Sequence, residues 1–300
     1  DNTITGSSQH GISLSGNSNT TVANNTITGS GQRGLFITGS SNTATGNTIN
    51  ANGTGGVLIQ TGTGNTVTGG TINLNVGPGV RIESNSNTIS SAQVSSNSAS
   101  GAIVTGNANN LTSLTMTSNT GIGVDVTGSL NNITSSTITS PTGIGVLVVT
   151  GTSTTVSATT IDGATGAGVR FETASNKILT GTVMNTITGP GVLVMSGAGN
   201  EIDGTIIRSN SAIGVSIQGG TAMVIKNARI AANTGDGVDI SAATGSLLKF
   251  NTINGNTAIG VDIAANTTTL FNNTVSHNTA TGTLIGGTVT GFDLRNNQFT

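Results

Sequence analysis

Residues 237–253 read GVDISAATGSLLKFNTI, and residues 260–275 read GVDIAANTTTLFNNTV. Both stretches begin with Gly-Val-Asp-Ile, pass through small polar residues to a leucine, and end in Asn-Thr before a β-branched residue. The same pattern recurs along the chain, and each copy begins with a glycine 22 or 23 residues after the previous one. The opening glycines are Gly11, Gly34, Gly56, Gly79, Gly101, Gly123, Gly145, Gly168, Gly191, Gly214, Gly237, Gly260 and Gly282. A fixed period of this length indicates a repeat architecture in which each copy packs on the next.

The repeat occupies nearly all of the 300 residues, and no copy carries a long insertion. We therefore expect one continuous domain, residues 1–300, although length alone would allow two domains. The chain begins at Asp1, and both ends stop at the same point of the repeat. We expect the chain to be a segment of a longer repeat protein.

The composition excludes several classes of function. The chain has 46 Gly, no Cys, no Trp, no Tyr, 7% charged residues and a net charge of −2. A charge this small gives no attraction to the phosphates of nucleic acid, so we expect no nucleic-acid partner. No apolar stretch is long enough for a membrane-spanning helix, and without Cys there is neither a disulfide nor thiolate chemistry.

Each copy is predicted to contain three short strands. After the opening glycine, the alternation Val-x-Ile places two apolar side chains on one face and the intervening residue on the other. The second strand is predicted to bury Val22, Val67, Ile89, Leu111, Ile133, Val156, Ile178, Ile202, Val224, Leu248 and Leu270. The third strand is predicted to bury Ile27, Ile49, Ile72, Val94, Met116, Ile138, Ile161, Val183, Ile230, Ile253 and Val275.

Short strands without helical periodicity favour a coil in which each copy makes one turn. Each strand then pairs in parallel with its equivalent one turn later, which predicts an all-β solenoid of about 13 turns with three parallel sheets. Asn recurs just before the strands, for example at Asn42, Asn65 and Asn87. Aligned Asn side chains of this kind are predicted to hydrogen-bond from turn to turn.

The Gly-Val-x-Ile and Asn-Thr-Ile-Thr pattern resembles the repeats of right-handed parallel β-helix proteins with the pectate-lyase-like fold. It is most similar to the Asn-, Gly- and Thr-rich repeats of bacterial secreted and surface proteins, and the resemblance covers essentially the whole chain. It implies a single-stranded right-handed parallel β-helix at an extracellular or cell-surface location. In enzymes of this type it also implies action on acidic polysaccharides, with calcium held by acidic residues near the outer face of one sheet.

One acidic cluster is predicted on that face. The outward position of the first strand is held by Ser13, Phe36, Leu58, Arg81, Ile103, Asp125, Leu147, Arg170, Leu193, Ser216, Asp239, Asp262 and Leu284. Asp239 and Asp262 fall on neighbouring turns, about 5 Å apart, and Asp236 lies close by in sequence. We expect Asp236, Asp239 and Asp262 to be the candidate ligands of a calcium ion, because calcium prefers carboxylate oxygens. The alternative is that they are solvated charges.

Other polar residues are predicted to be structural. Arg81 with Glu83, and Arg170 with Glu172, have the spacing of outward ion pairs that add little stability. His10 and His277 are expected to be solvated turn residues. The aromatic residues Phe171, Phe292 and Phe299 fall on inward positions of the repeat, whereas Phe36 is expected to be exposed and alone.

No catalytic pair of an acid and a base is evident, and the constant period leaves no room for the long loops that usually build a cleft. We therefore expect a structural or adhesive spacer, stalk or fibre segment without catalysis of its own. The alternative is a β-helix that binds or degrades polysaccharide. The expected partners are further repeats, other copies joined head to tail, or a surface polysaccharide.

A second alternative is an ice-binding solenoid, which needs a regular Thr array. The outward Thr column predicted for the third strand comprises Thr3, Thr26, Thr48, Thr71, Thr115, Thr137, Thr160, Thr182, Thr205, Thr252 and Thr274.

Overall fold

The computed structural model describes residues 1–17, 21–286 and 290–300. These residues form strands and turns without a helix. Two compact units, Asp1–Gly151 and Thr152–Thr300, are described separately. The predicted single continuous domain stays a prediction.

Each unit contains three parallel sheets, which we call A, B and C. Sheet B holds the strands that follow the opening glycines, sheet C the second strands and sheet A the third strands. In the first unit, sheet A contains β1 (Thr3–Thr5), β4 (Thr26–Thr28), β7 (Thr48–Asn50), β10 (Thr71–Asn73), β13 (Gln93–Ser95), β16 (Thr115–Thr117) and β19 (Thr137–Thr139). Sheet B contains β2 (Ile12–Leu14), β5 (Arg33–Ile37), β8 (Gly55–Ile59), β11 (Val80–Ile82), β14 (Ala102–Val104), β17 (Val124–Val126) and β20 (Val146–Val148). Sheet C contains β3 (Thr21–Ala23), β6 (Thr43–Thr45), β9 (Thr66–Thr68), β12 (Thr88–Ser90), β15 (Asn110–Thr112) and β18 (Asn132–Thr134).

The second unit repeats this arrangement. Its sheet C contains β21 (Thr155–Ser157), β24 (Lys177–Leu179), β27 (Glu201–Asp203), β30 (Val224–Lys226), β33 (Leu247–Lys249), β36 (Thr269–Phe271) and β39 (Asp293–Arg295). Its sheet A contains β22 (Thr160–Asp162), β25 (Val183–Asn185), β28 (Ile206–Arg208), β31 (Arg229–Ala231), β34 (Thr252–Asn254), β37 (Thr274–Ser276) and β40 (Gln298–Phe299). Its sheet B contains β23 (Val169–Phe171), β26 (Val192–Val194), β29 (Val215–Ile217), β32 (Val238–Ile240), β35 (Val261–Ile263) and β38 (Thr283–Ile285).

The strand count confirms the predicted solenoid. Sheet B has seven strands in the first unit and six in the second, so the described chain makes about 13 turns. Each strand pairs in parallel with its equivalent one copy later, as in Val215↔Val238 and Val238↔Val261. Val124, Val146 and Val215 are fully buried, as the alternation predicts.

The opening glycine recurs because the chain packs tightly against it. A Cβ placed on Gly237 would overlap Cγ2 of Ile253, which is the inward residue of the third strand in the same copy. The same Cβ would lie 2.6 Å from the carbonyl oxygen of Gly260 in the next copy. Glycine is therefore needed here for close approach of side chain and backbone.

Two inward positions were predicted one residue too early. Val183 and Val224 are only partly buried, whereas Met184 and Ile225 are completely buried. In these two copies the residue that points into the core comes one position after the Val that was predicted to do so. Because strand residues alternate in direction, a shift of one residue exchanges the two faces.

The Asn ladders are confirmed, and they are more extensive than predicted. In sheet C, the Asn42 backbone N–H donates to Asn65 Oδ1 at 2.9 Å, and Asn65 donates in the same way to Asn87 Oδ1. A second ladder follows sheet A, where Asn75 donates to Asn97 Oδ1 at 3.1 Å and Asn97 donates to Asn119 Oδ1 at 3.1 Å. The ladders satisfy backbone groups at the corners, where the strands of one copy end.

The corner after sheet C has left-handed backbone. The residues that directly follow a strand of sheet C and adopt positive φ are Asn24, Gly46, Gly69, Ser91, Ser113, Ser135, Ala158, Gly204, Asn227, Phe250, Asn272 and Asn296. Gly and Asn tolerate this conformation best, whereas a bulky side chain in it is uncommon. Phe250 is the one large residue in this set.

Phe171 is fully buried, as predicted, but Phe292 and Phe299 are 45% and 43% exposed. The inward residue of β39 is Leu294, which pairs with Leu270, so Phe292 lies at the corner before the strand. Phe299 pairs with Val275 on one side, and no described strand covers its other side. The prediction that both residues belong to the core is wrong.

Candidate functional site

The outward face of sheet B carries the charged residues that the sequence singled out. In the second unit, Asp239 of β32 and Asp262 of β35 are direct register partners. Neighbouring parallel strands lie about 4.8 Å apart, so the two carboxylates project from adjacent positions on one face. Asp236 lies just before Gly237, and its Oδ1 accepts a hydrogen bond of 2.8 Å from the Ile259 N–H. We call Asp236, Asp239 and Asp262 the acidic cluster.

Asp239 is the most perturbed titratable group of the cluster. Burial raises its pKa from 3.8 to about 6, with further contributions from the negative charges of Asp262 and then Asp236. The pKa of Asp262 is also raised, first by burial and then by Asp236. Both shifts favour the protonated carboxyl group, and a carboxyl group whose pKa lies close to the working pH can transfer a proton.

A buried hydroxyl lies beside Asp239. Ser216, its register partner on β29, is only 1% exposed, and its Oγ accepts a hydrogen bond of 3.3 Å from Gln218 Nε2. The Ser216 hydroxyl favours the ionised Asp239 carboxylate and partly offsets the effect of burial on its pKa. Sequence analysis placed Ser216 on the outward face but gave it no role.

The acidic cluster, as it lies, does not form a metal cage. Among residues 1–17, 21–286 and 290–300, no group of three or more His, Cys, Asp or Glu side chains is arranged to hold a metal ion. One oxygen of Asp236 is already used by the Ile259 N–H. The calcium site stays a prediction.

The calcium prediction can be tested by melting. If Asp236, Asp239 and Asp262 bind calcium in the native state, calcium should raise the melting temperature, and Asp239→Asn should reduce that rise. Differential scanning calorimetry with and without calcium measures both effects. An unchanged melting temperature in wild-type protein would leave the three residues as solvated charges.

The two predicted ion pairs are present. Arg81 Nε lies 2.5 Å from Glu83 Oε1, and Arg170 Nη2 lies 2.6 Å from Glu172 Oε1. All four side chains are partly exposed, so the pairs add little to stability.

His10, Arg33 and Phe36 lie together in the first unit, and we call them the cationic cluster. The sequence did not predict this group. The His10 and Phe36 rings are stacked, with centroids 4.2 Å apart, and the Arg33 N–H donates to His10 Nδ1 at 3.3 Å. The interpretations of His10 as a solvated turn residue and of Phe36 as isolated are therefore wrong, whereas His277 is exposed as expected. The sequence did contain a signal for this contact. His10 and Arg33 each precede an opening glycine, so they occupy equivalent positions of neighbouring copies.

Arg33 is a partly buried cation without a carboxylate partner. Its Nη1 donates to the Thr54 carbonyl, and the guanidinium lies where a Cβ of Gly55 would overlap it. Burial, and then the positive charge of Arg81, lower the pKa of Arg33, while Glu83 acts in the opposite direction. In the part of the chain that the structure describes, no acidic side chain lies within 4 Å of this guanidinium. A guanidinium without a carboxylate partner can pair with an anion.

The Thr column of sheet A is interrupted. In the second unit Val183, Ile206 and Arg229 occupy three successive outward positions. Thr182 and Thr205, which were predicted to be outward, are buried because the register shifts there by one residue. Ice binding stays an untested prediction.

No helix among the described residues is long and apolar enough to cross a membrane.

Comparison with known proteins identifies the fold. The family model for the right handed beta helix region matches residues 1–139 and 142–299. The periplasmic alginate epimerase AlgG is similar in structure, with a TM-score of 0.62 and 10% identity over 93% of this chain and 76% of that one. The A-module of the Azotobacter vinelandii mannuronan C-5 epimerase AlgE6 has a TM-score of 0.60 and 12% identity, over 94% and 90% of the two chains. No curated protein matches the sequence.

A mannuronic-acid-specific polysaccharide family 6 lyase from human gut microbiota is also similar, with a TM-score of 0.65 and 8% identity over 96% and 83% of the two chains. These identities show a shared fold. The preferred interpretation from sequence, a stalk or fibre segment without catalysis, is wrong as the leading choice, because these similar structures are polysaccharide-modifying enzymes. The alternative, a β-helix that acts on polysaccharide, is better supported.

Proposed function

Because the chain belongs to the family of right-handed beta helix proteins, we propose that it binds and modifies a polysaccharide on the outward face of sheet B. The observation that carries this proposal is the register pair of Asp239 and Asp262, with the pKa of Asp239 raised to about 6. The similar structures of two alginate epimerases and a polysaccharide lyase support the substrate class.

Asp239 is the proton-transferring group in this proposal. Near pH 6 a carboxyl with this pKa is present in both protonation states. It can give its proton to a glycosidic oxygen as the bond from that oxygen to the sugar carbon breaks, while water adds to that carbon and the proton released restores the acid. Asp262, whose pKa is also raised by burial and by Asp236, supplies the second carboxyl group beside it. Two carboxyl groups flanking one glycosidic bond are the usual requirement for its hydrolysis.

The test is a survey of polymers with the purified chain. Alginate, pectate and a neutral glucan are incubated with the protein, and proton NMR follows new reducing ends, new double bonds and inversion at C5. We expect one of these changes in at least one polymer. Unchanged spectra for all the polymers over a range of pH around 6 would contradict a modifying function.

Polysaccharide binding without modification is a second candidate, favoured by the cationic cluster of the first unit. Arg33 and the stacked His10 and Phe36 rings present positive charge beside aromatic rings. That combination suits the carboxylate and the apolar ring face of a uronic acid.

Arg33→Gln should weaken binding of an oligouronate to the cationic cluster about tenfold, because a hydrogen-bonded charge is lost. Isothermal titration calorimetry measures the change, with a neutral oligoglucoside as the comparison ligand. Arg229→Gln, at an exposed position of sheet A, is the matched control and should bind as wild type does. Equal affinity of wild-type and Arg33→Gln proteins would exclude this site.

We also propose that the chain works outside the cytoplasm, which is consistent with the periplasmic epimerase that it resembles in fold. Head-to-tail association of copies stays a prediction, which sedimentation velocity can test.

A further inference from the structure

Phe250 occupies a corner that is unfavourable for its side chain. Its φ is 58°, in the left-handed region, where the equivalent residues on the neighbouring strands are Asn227 and Asn272. Asn accepts this backbone far more readily than an aromatic residue does. The Phe250 side chain is also 49% exposed, so burial in the core does not explain its presence. A strained and exposed aromatic residue points to a role outside folding.

A second aromatic ring supports Phe250. The Phe250 and Phe271 rings meet edge to face, with centroids 5.7 Å apart and planes at 78°. Arg295 lies on the other side, with its Cζ 5.9 Å from the Phe271 centroid. The Arg295 charge is paired with Asp293 at 2.7 Å. Because the two ring planes are nearly perpendicular, the exposed Phe250 ring, supported by Phe271, is the apolar platform beside the outward side of sheet C.

One unpaired cation stands beside this platform. Lys249 precedes Phe250 and is the register partner of both Lys226 and Phe271. Lys226 is paired with Glu201 at 2.7 Å and Asp203 at 3.4 Å. Within the described ranges, no carboxylate lies within 4 Å of the Lys249 ammonium. Lys249 therefore keeps its positive charge available for a ligand.

We propose that Lys249, Phe250 and Phe271 form a binding site for a uronic acid residue of an acidic polysaccharide. The apolar face of the sugar ring packs on Phe250, and its carboxylate pairs with Lys249. The choice of a polysaccharide as the ligand rests on the proposed function, although this site lies on sheet C, away from the outward face of sheet B. A nucleic acid fits less well, because its binding depends on neutralising many phosphates and only one cation is free here.

Site-resolved NMR titration with a short oligouronate tests the proposal. The backbone amides of Lys249, Phe250 and Asn272 should shift as the oligouronate is added. Phe250→Asn should weaken the affinity measured at Lys249 and Asn272 about two- to tenfold, through loss of aromatic contact. Lys249→Gln should weaken oligouronate binding about two- to fivefold and leave binding of a neutral oligoglucoside unchanged.

The controls separate binding from stability. Leu74→Asn changes another exposed apolar residue at a left-handed corner, with φ of 55°, and should leave the affinity unchanged. Phe250→Asn should melt at or above the wild-type temperature, because Asn suits the backbone. A lower melting temperature for Phe250→Asn, unchanged affinity in it, or amide shifts with an oligonucleotide in place of the oligouronate would overturn the proposal. If Asp239→Asn loses activity but the Phe250 amide of the wild-type protein does not shift with the oligouronate, the Phe250 site is overturned and the proposed function still stands.

Discussion

Asp239→Asn is expected to lower the rate of polysaccharide modification about 100-fold or more, the usual contribution of a positioned acid or base. Asn retains the shape of the side chain but neither gives nor accepts the proton. The measurement is the initial rate on the polymer that the wild-type chain modifies. Asp125→Asn is the matched control, because Asp125 holds the equivalent outward position of its own strand, β17, but has Ile103 and Leu147 as register partners instead of carboxylates. The control should retain its activity.

Unfolding will not explain the loss of activity. The pKa of Asp239 is raised in the folded chain, so its ionisation opposes folding. Its contribution to stability is fully present below pH 3.8, the ordinary pKa, and is lost as the pH rises through about 6. Asp239→Asn removes this ionisation and should melt at or above the wild-type temperature at pH 7. A variant that is inactive because it is unfolded would contradict the account.

The pH dependence of the wild-type rate follows from the same group. As the proton donor, Asp239 must be protonated, so the rate should fall as the pH rises above about 6. A rate that keeps rising above that pH would assign Asp239 the role of base.

Asn97→Ala is expected to lower the free energy of unfolding by about 3 kcal/mol, because it leaves several buried polar groups without partners. Asn97 is fully buried; its Oδ1 accepts from both the N–H and the Nδ2 of Asn75, and its Nδ2 donates to the Ile72 carbonyl at 3.0 Å. Urea unfolding followed by circular dichroism measures the change.

Asn110→Ala is the matched control for the ladder. Asn110 is exposed on β15, and its Oδ1 accepts one hydrogen bond of 3.0 Å from Asn132 Nδ2. Water replaces that bond, so we expect a change within about 0.5 kcal/mol. Equal losses for the two variants would mean that the buried ladder does not stabilise the fold.

The repeat predicts most of the fold because one rule applies many times. Gly, two alternating apolar residues and Asn at the corners recur at nearly constant spacing, so errors such as Val224 for Ile225 shift one residue without changing the topology. Such a shift occurs where one copy contains an extra residue. The sequence pattern does not specify at which corner that residue is inserted.

The candidate site is less predictable, because its properties arise between strands and from burial. The pairing of Asp239 with Asp262 follows from the period, but the raised pKa depends mainly on burial. The stacking of His10 on Phe36 depends on side-chain direction at a strand end. The lack of long loops in the sequence favours a stalk over an enzyme, and the similar structures of polysaccharide-modifying enzymes support the alternative instead.

The most direct test is a carbon-13 NMR titration of the Asp239 carboxyl, with and without an oligosaccharide of the polymer that the chain modifies. The account predicts a pKa of about 6 for Asp239 in the free protein and a further shift on addition of the oligosaccharide. A pKa near the ordinary 3.8 that the oligosaccharide leaves unchanged would contradict a proton-transferring Asp239 at a polysaccharide site.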